Sequence, residues 1–587
     1  MIDQGSPSGE AAEARGTPPR PRGRAGPGRA GAASTGLTGP VDAAQTFSDL
    51  RESWALASVG TRAQKSARGG AATAMAPKVN VQLGSEPLTI EQVVDVARNG
   101  AHVEVTSNVP SAMAGALSVV ETAIKERRTV YGVTTGFGAL ARHRIEPEQA
   151  VLVQQALVRS HASGMGAFVE PEVVRAMQLL RARTLAAGHS GARPALVDMT
   201  VSLLNAGIVP AVPELGSLGA SGDLAPLAHA ALVLTGSGWV LEDGTAIDAA
   251  GALARARLEP VALQAKEGLA LLNGTDGMLA HHCLAQADLD VLLRTVDIAC
   301  AMTIEALLGT DAPFAERIHA LRPHPGQRLS ASNLRTLLRD SPIVASHKDS
   351  DHAVQDAYSL RCAPQVHGAA RDVVAQARRT AEIELQSVVD NPVVFPEDST
   401  VVSTGNFHGQ PLAHAADFVA IALAGLAGIV ERRIDRMMDP ARSEGLPPFL
   451  APEAGVNSGF MLAHYTAAAT LNRMRGHASP SSIDSVPTSG GQEDHVSMGW
   501  NACRQMRASV ADATRVIAIE AVCAAEALDL RGMEPGPATR AVLRALRAEI
   551  PRMDSDRFLA PELATAEQMV RSGALVRAVH PVVGDLA

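Results

Sequence analysis

The sequence predicts an all-α, mainly helical fold built on a long central helix bundle, with a smaller N-terminal part. Three observations predict it. Ala and Leu dominate a chain that is 46% hydrophobic, aromatic residues make up only 3%, and from Leu88 onward segments of helical periodicity alternate with Gly- or Pro-marked turns. Such a composition favours packed helices over sheets, which draw on Val, Tyr and Phe. At 587 residues the chain has enough apolar content for a large core.

The opening segment departs from this pattern. Residues from Met1 to about Ala74 are rich in Gly, Ala, Pro, Arg and Ser, as in Pro18-Pro-Arg-Pro-Arg-Gly-Arg24, and show hardly any apolar period. They bury too little surface to offset the entropy of ordering, so residues 1–77 read as a disordered leader, with Met75 as the expected physiological start. The leader has no apolar stretch of secretory type, and Asp3, Glu10 and Glu13 argue against a transit peptide. Residues 78–285 form the expected N-terminal part, and residues 286–587 the bundle and C-terminal part.

Within the N-terminal part, Val79-Asn-Val-Gln-Leu83 and Trp239-Val-Leu241, before the Glu242-Asp-Gly244 turn, read as short strands. Tyr131 opens Tyr-Gly-Val-Thr-Thr-Gly-Phe-Gly138, whose three glycines permit close backbone approach. It is one of only three tyrosines and, taken alone, reads as a residue packed in a turn. Ser160-His161 follows the apolar stretch Val151 to Val158, where a histidine is commonly a helix-end residue. Gly216-Ser-Leu-Gly-Ala-Ser-Gly-Asp-Leu-Ala-Pro-Leu-Ala-His229 sets Ala220-Ser221-Gly222 against a helix running to Leu234. Asp223 is the expected N-cap, Pro226 suits the first turn, and the positive helix end faces the Ala-Ser-Gly peptide. The segment reads equally as a capping loop or as a catalytic one. Asn273-Gly274, in Lys266-Glu-Gly-Leu-Ala-Leu-Leu-Asn-Gly-Thr275, suits an ordinary turn.

In the C-terminal part, Tyr358 and Arg361 of Gln355-Asp-Ala-Tyr-Ser-Leu-Arg-Cys362 share a face if helical, and Arg361 offers a planar fork for a carboxylate. Two helices look long, about Leu412 to Met438 and about Gly499 to Leu528, the first ending with Glu431, Arg432, Arg433 and Arg436 on its solvated side. Phe407 lies in Gly405-Asn-Phe-His-Gly409 and Glu493 in Gln492-Glu-Asp-His-Val-Ser-Met498.

Net charge is −9 and no basic patch is interleaved with aromatics, which disfavours nucleic acid and leaves a small molecule as the expected partner. Cys283, Cys300, Cys362, Cys503 and Cys523 are widely spaced and odd in number, which fits a reducing cytoplasm and suggests neither disulfides nor a zinc site. The apolar run Phe418 to Val430 is 13 residues long, short of the ~20 that span a bilayer, so no membrane partner is expected.

Together these segments resemble, in collinear order from about Val79 to the C-terminus, the aromatic amino-acid lyases that carry a methylidene-imidazolone (MIO) group. The resemblance implies that Ala220, Ser221 and Gly222 cyclise into that electrophile with loss of two waters, so no external cofactor is needed. It further implies Tyr131 as the base for the substrate's β-proton, with Tyr358 and Glu493 also catalytic. His161, Asn273, Gln355, Arg361 and Phe407 are implied to bind substrate, Arg361 at the carboxylate, and no metal is implied. Ser160-His161 resembles the members acting on histidine, where phenylalanine and tyrosine members carry Phe-Leu and His-Leu. Glu493 stands where phenylalanine members carry Gln. The expected reaction is deamination of L-histidine to trans-urocanate and ammonia, the first step of histidine degradation, in a homotetramer whose sites draw on more than one subunit. A phenylalanine or tyrosine ammonia-lyase or a 2,3-aminomutase on the same scaffold is the alternative. Asp276 and Gly490-Gly491 depart from the family pattern. Other chemistries fare worse: neither Gly219-Ala-Ser-Gly222 nor Gly188-His-Ser-Gly191 completes a nucleophile elbow, and His347, Asp351 and His352 are a weak metal set in a polar loop.

Overall fold

The computed structural model of the chain describes residues 80–349 and 354–587. The leader with Met75, and Asp351 and His352, lie outside the described residues. Eight helices frame the interior of the molecule: α1 (Ala150–His161), α2 (Pro171–Ala186), α3 (Leu224–Leu234), α4 (Asp276–Ala306), α5 (Ala363–Gln386), α6 (Gln410–Met438), α7 (Met461–His477) and α8 (Gly499–Arg531). Helices α4, α5, α6 and α8 pack on one another as the central bundle, with α7 against α6 and α8.

Local sequence sets the helix ends. Proline occupies the first turn of α2, α5 and α6, where an amide hydrogen would have no intrahelical partner. Gly532 stops α8 in the left-handed region, φ 64°. The strands are short and peripheral. Asn80–Leu83 pairs in parallel with His102–Val105, Trp239–Glu242 lies antiparallel between Val209–Pro210 and Thr245–Asp248, and Met165–Phe168 pairs with Pro213–Leu215.

The long helices expected from Leu412 and Gly499 are α6 and α8. Helix α4, 31 residues long, escaped the periodicity reading because it is buried on nearly every side, so its sequence has no polar stripe to reveal the period. Residues 285 and 286, the expected domain boundary, lie inside α4.

One expectation is corrected. Glu431 and Arg433 do not face solvent: both are buried, and only Arg432 of the three is exposed. Arg433 makes a two-pronged contact with Glu520 of α8, one prong at 2.9 Å, and donates to His367 of α5 at 3.2 Å. Asp297 of α4 closes the network, accepting from Ser330, Asn333, His367 and Arg371. Helix α6 is long and apolar enough to cross a membrane by length and composition, but Asp417, Glu431 and Arg433 are buried along it and its apolar side packs in the bundle. All five cysteines are unpaired.

Removing one member of a buried pair strands the other charge. Arg433→Met is expected to cost about 3–5 kcal/mol in urea denaturation, with most of the loss recovered in the Arg433→Met/Glu520→Leu double variant.

Candidate functional site

The Ala220-Ser221-Gly222 peptide is held by backbone contacts that tolerate no side chain at Gly222. Gly222 has φ 79°, and a Cβ there would lie 2.2 Å from the Gly274 carbonyl oxygen. The neighbouring Asp223 amide donates to that same oxygen at 2.7 Å, and Gly222 and Gly274 form a parallel bridge. On the other side the Gly219 carbonyl accepts from the Ser497 hydroxyl at 2.8 Å and from the Gly409 amide at 3.2 Å. Segments around residues 219–223, 273–275, 407–409 and 493–498 therefore meet at one place. The peptide fits the ring closure expected from the sequence: Gly222, whose nitrogen would approach the Ala220 carbonyl, has no room for a side chain.

Asp223 takes the N-cap position of α3, yet its side chain does not cap that helix. Oδ2 accepts from the Met278 amide in the first turn of α4 at 2.9 Å, and Oδ1 from the Ser217 hydroxyl at 2.9 Å. The carboxyl is wholly buried, and burial raises its pKa to about 7.

Glu493 faces the peptide directly. Its Oε1 accepts from the Ser221 hydroxyl at 2.9 Å and its Oε2 from the Thr488 hydroxyl at 2.8 Å. His161, at the end of α1, has Nδ1 2.9 Å from the Leu157 carbonyl, an arrangement that protonates Nδ1 and leaves Nε2 as the basic nitrogen. Burial lowers the His161 pKa, partly offset by the Leu157 contact and by the field of Glu493. The Tyr131 hydroxyl accepts from the Gly138 amide at 3.0 Å. Gly138 in turn lies against Ser489, beside Thr488, which bonds Glu493. Asn273 is buried immediately before Gly274, and Phe407 is half-buried two residues before Gly409.

The chain brings together Tyr131, His161, Ala220, Ser221, Gly222, Asn273, Phe407 and Glu493, but not Gln355, Tyr358 and Arg361. Tyr358 is 71% exposed, with the Arg361 guanidinium 4.5 Å from its ring centre. Their short helix, Tyr358–Arg361, is held where Arg433 meets the Ser359 carbonyl. Arg433 lies near the far end of α6 from Gly409, so at 1.5 Å per residue the two groups stand roughly 35 Å apart.

Several residues that shape the site escaped the sequence reading. Arg181 of α2 is buried and donates to the carbonyls of Ala270, Asn273 and Val389 at 3.0, 2.7 and 2.9 Å, while pairing with Asp276 at 2.9 Å. This accounts for the departure at Asp276: the carboxylate answers an arginine that fixes Asn273. An arginine in so apolar a helix as Leu179-Leu-Arg-Ala182 was the available signal. Buried Lys266 and Asp390, 2.9 Å apart, anchor the same segment from its other end. Among the described residues no group of three or more His, Cys, Asp or Glu is arranged to hold a metal.

The helical bundle thus brings three further loops to an Ala-Ser-Gly peptide at a helix start. The sequence model of the aromatic amino acid lyases matches residues 88–548, and the chain belongs to that family. It is 52% identical over 510 residues to a histidine ammonia-lyase of Streptomyces avermitilis, covering 86% of this chain and 99% of that one. Among solved structures it is similar to histidine ammonia-lyase from Trypanosoma cruzi (TM-score 0.79, 38% identity, 86% of this chain and 96% of that one). It is also similar to tyrosine aminomutase from Streptomyces globisporus (TM-score 0.82, 37% identity, 87% and 100%).

The raised pKa of Asp223 sets a pH dependence. Between its unfolded value, about 4, and its folded value, about 7, the native state holds a proton the unfolded state has lost, so this group's stabilising contribution is full below the first and lost as pH rises through the second. Asparagine does not titrate. The difference in unfolding midpoint, wild type minus Asp223→Asn, is therefore expected to fall as pH is raised from about 4 to about 7 in thermal melts.

Proposed function

We propose that the chain is a histidine ammonia-lyase, converting L-histidine to trans-urocanate and ammonia, with an MIO group formed from Ala220, Ser221 and Gly222. The observation that carries the proposal is the placement of His161 and Glu493 beside the Ser221 peptide, two groups able to hold an imidazole. The relatives' names support it, as does the absence of room for a Cβ at Gly222.

When formed, the MIO group supplies an electrophile that ordinary side chains lack. The residues of the chain supply the rest. Glu493 accepts an N–H from the substrate imidazole and fixes its orientation. His161 presents Nε2 to the bound amino acid. Tyr131 takes the β-proton. Asn273, held by Arg181, lies where the substrate carboxylate and the ring meet. Phe407 walls the pocket and excludes water beside it.

Arg361 grips the carboxylate, with Gln355 binding substrate and Tyr358 catalytic beside it, in a site belonging to another copy of the chain. Their exposure, and their distance from Ser221 in their own chain, support a homotetramer with shared sites. So do the exposed apolar side chains Phe418 and Ile421 on α6 and Leu462 and Tyr465 on α7. Five unpaired thiols suit the cytoplasm. A small molecule is the partner, with no role for nucleic acid or membrane.

The similarity to a tyrosine aminomutase favours one second reading, a 2,3-aminomutase, which would yield a β-amino acid where a lyase releases ammonia. Product analysis with histidine, tyrosine and phenylalanine separates the two.

The purified protein is expected to weigh less than its sequence by two waters, localised to residues 220–222, and to form urocanate from histidine. Unmodified mass without turnover overturns the proposal. Tyr131→Phe is expected to lower kcat by about 100-fold or more with the mass loss intact. Co-expressed Ser221→Ala and Arg361→Met chains, each inactive alone, are expected to regain activity in mixed assemblies. Failure to do so would place both residues of a site on one chain.

A further inference from the structure

The Gln154 side chain is buried, 1% exposed, on the face of α1 that turns inward two helical turns before His161. Its two ends bond two different segments. The amide nitrogen donates to the Gly132 carbonyl at 3.2 Å, and the amide oxygen accepts from the Leu269 amide at 3.0 Å. Gly132 is the residue after Tyr131. Leu269 belongs to the short helix Glu267–Leu272 that delivers Asn273, whose own amide donates to the Leu269 carbonyl at 3.2 Å.

The packing around this side chain leaves no slack. A Cβ on Gly132, φ 64°, would lie 2.3 Å from a Leu269 methyl, and a Cβ on Gly268 would lie 2.7 Å from the Gln154 carbonyl and 3.1 Å from its Cβ. Three backbones thus converge on one amide. Only a side chain with a donor and an acceptor at its tip satisfies both partners: a carboxylate cannot donate to Gly132, and an apolar chain leaves a buried N–H and a buried C=O unpaired.

We infer that Gln154 is a positioning residue for deamination, tying the Tyr131 loop, the His161 helix and the Asn273 segment into one rigid unit. The inference deepens the histidine-deaminating function proposed above and rests on it for its catalytic consequence. Tyr131 sits in a Gly-rich loop whose other side-chain hydrogen bonds within residues 130–138 are, among the described residues, local: Thr134 to Val130 and Arg128, Thr135 to Gly132 and Gly136, and Tyr131 itself to Gly138. Gln154 is the group that ties this loop to another helix of the site. A base displaced by about 1 Å from its proton loses rate on the order of 100-fold, whereas binding of the imidazole by Glu493, which Gln154 does not touch, is spared.

The test uses the full chain and two variants. Gln154→Met fills the space without polar atoms. Gln154→Glu keeps the acceptor for Leu269 and removes the donor for Gly132. Kinetics with histidine are measured alongside amide hydrogen exchange of residues 130–138 and 268–274. Gln154→Met is expected to lose at least tenfold in kcat with KM changed less than threefold, and to lose protection in both segments. Gln154→Glu is expected to lose protection in residues 130–138 while keeping it at Leu269. A Met variant within twofold of wild-type kcat, or unchanged exchange in both segments, overturns the inference. Should the Met variant fail to fold, the Glu variant's split between the two segments still decides. If wild-type protein makes no urocanate, it is the proposed reaction that fails, and the exchange pattern continues to judge the tie.

Discussion

Two glycine backbones in direct contact are the constraint on which the site depends. Gly222 and Gly274 approach so closely that neither atoms of a side chain nor an intervening water fit between them, and the short bond from Asp223 to the Gly274 oxygen locks the register. Several groups near the peptide hold the segments that make that contact. Asp223 ties the start of α3 to the start of α4, Ser497 and Gly409 secure Gly219, and Arg181 gathers the carbonyls of the Asn273 segment.

The arrangement is costly in electrostatic terms. Arg181, Lys266, Asp223, Asp276 and Asp390 all lie out of water within a few residues of the site, and each is matched by a partner or by backbone groups. Buried ions bring little net stability, because desolvation offsets most of the attraction. What they bring here is direction. A guanidinium that must satisfy three carbonyls and a carboxylate has one workable position, and the Asn273 segment is fixed by it. The Arg433 and Glu520 pair acts likewise at the other end of the bundle, where it also holds the carbonyl of Ser359.

The fold class was legible from composition and helical period, and α6 and α8 were legible almost to their ends. Helix α4 was not, because a rod buried all round shows no polar face. The polar residues at the end of α6 were misread for a related reason: Glu431-Arg432-Arg433 looks like a solvated run, and only the partner on α8, far away in sequence, turns Arg433 inward. At the site, the segments around Tyr131, Ser221, Asn273 and Glu493 were legible as motifs because glycines and rare residue types mark them. Gln154 was not, since a glutamine within a helix gives no sign of bonding a distant backbone, and Arg181 left only the clue of a charge in an apolar stretch, which does not say what it bonds. The side-chain direction of Asp223 was also hidden. Sequence placed it at a helix start, and the structure gives its carboxylate to a different helix.

The 29-residue rod between Gly409 and Met438 has a consequence for how such a protein comes to life. If the electrophile, the carboxylate grip and the sharing of sites between copies are as proposed, a freshly synthesised polypeptide holds the first at one tip and the second at the other, too far apart to act on one amino acid. A solitary molecule is then chemically mute, however well folded, and competence appears only with association. Dilution would silence it without unfolding a single helix, so the cell's control over subunit concentration is also control over the onset of turnover.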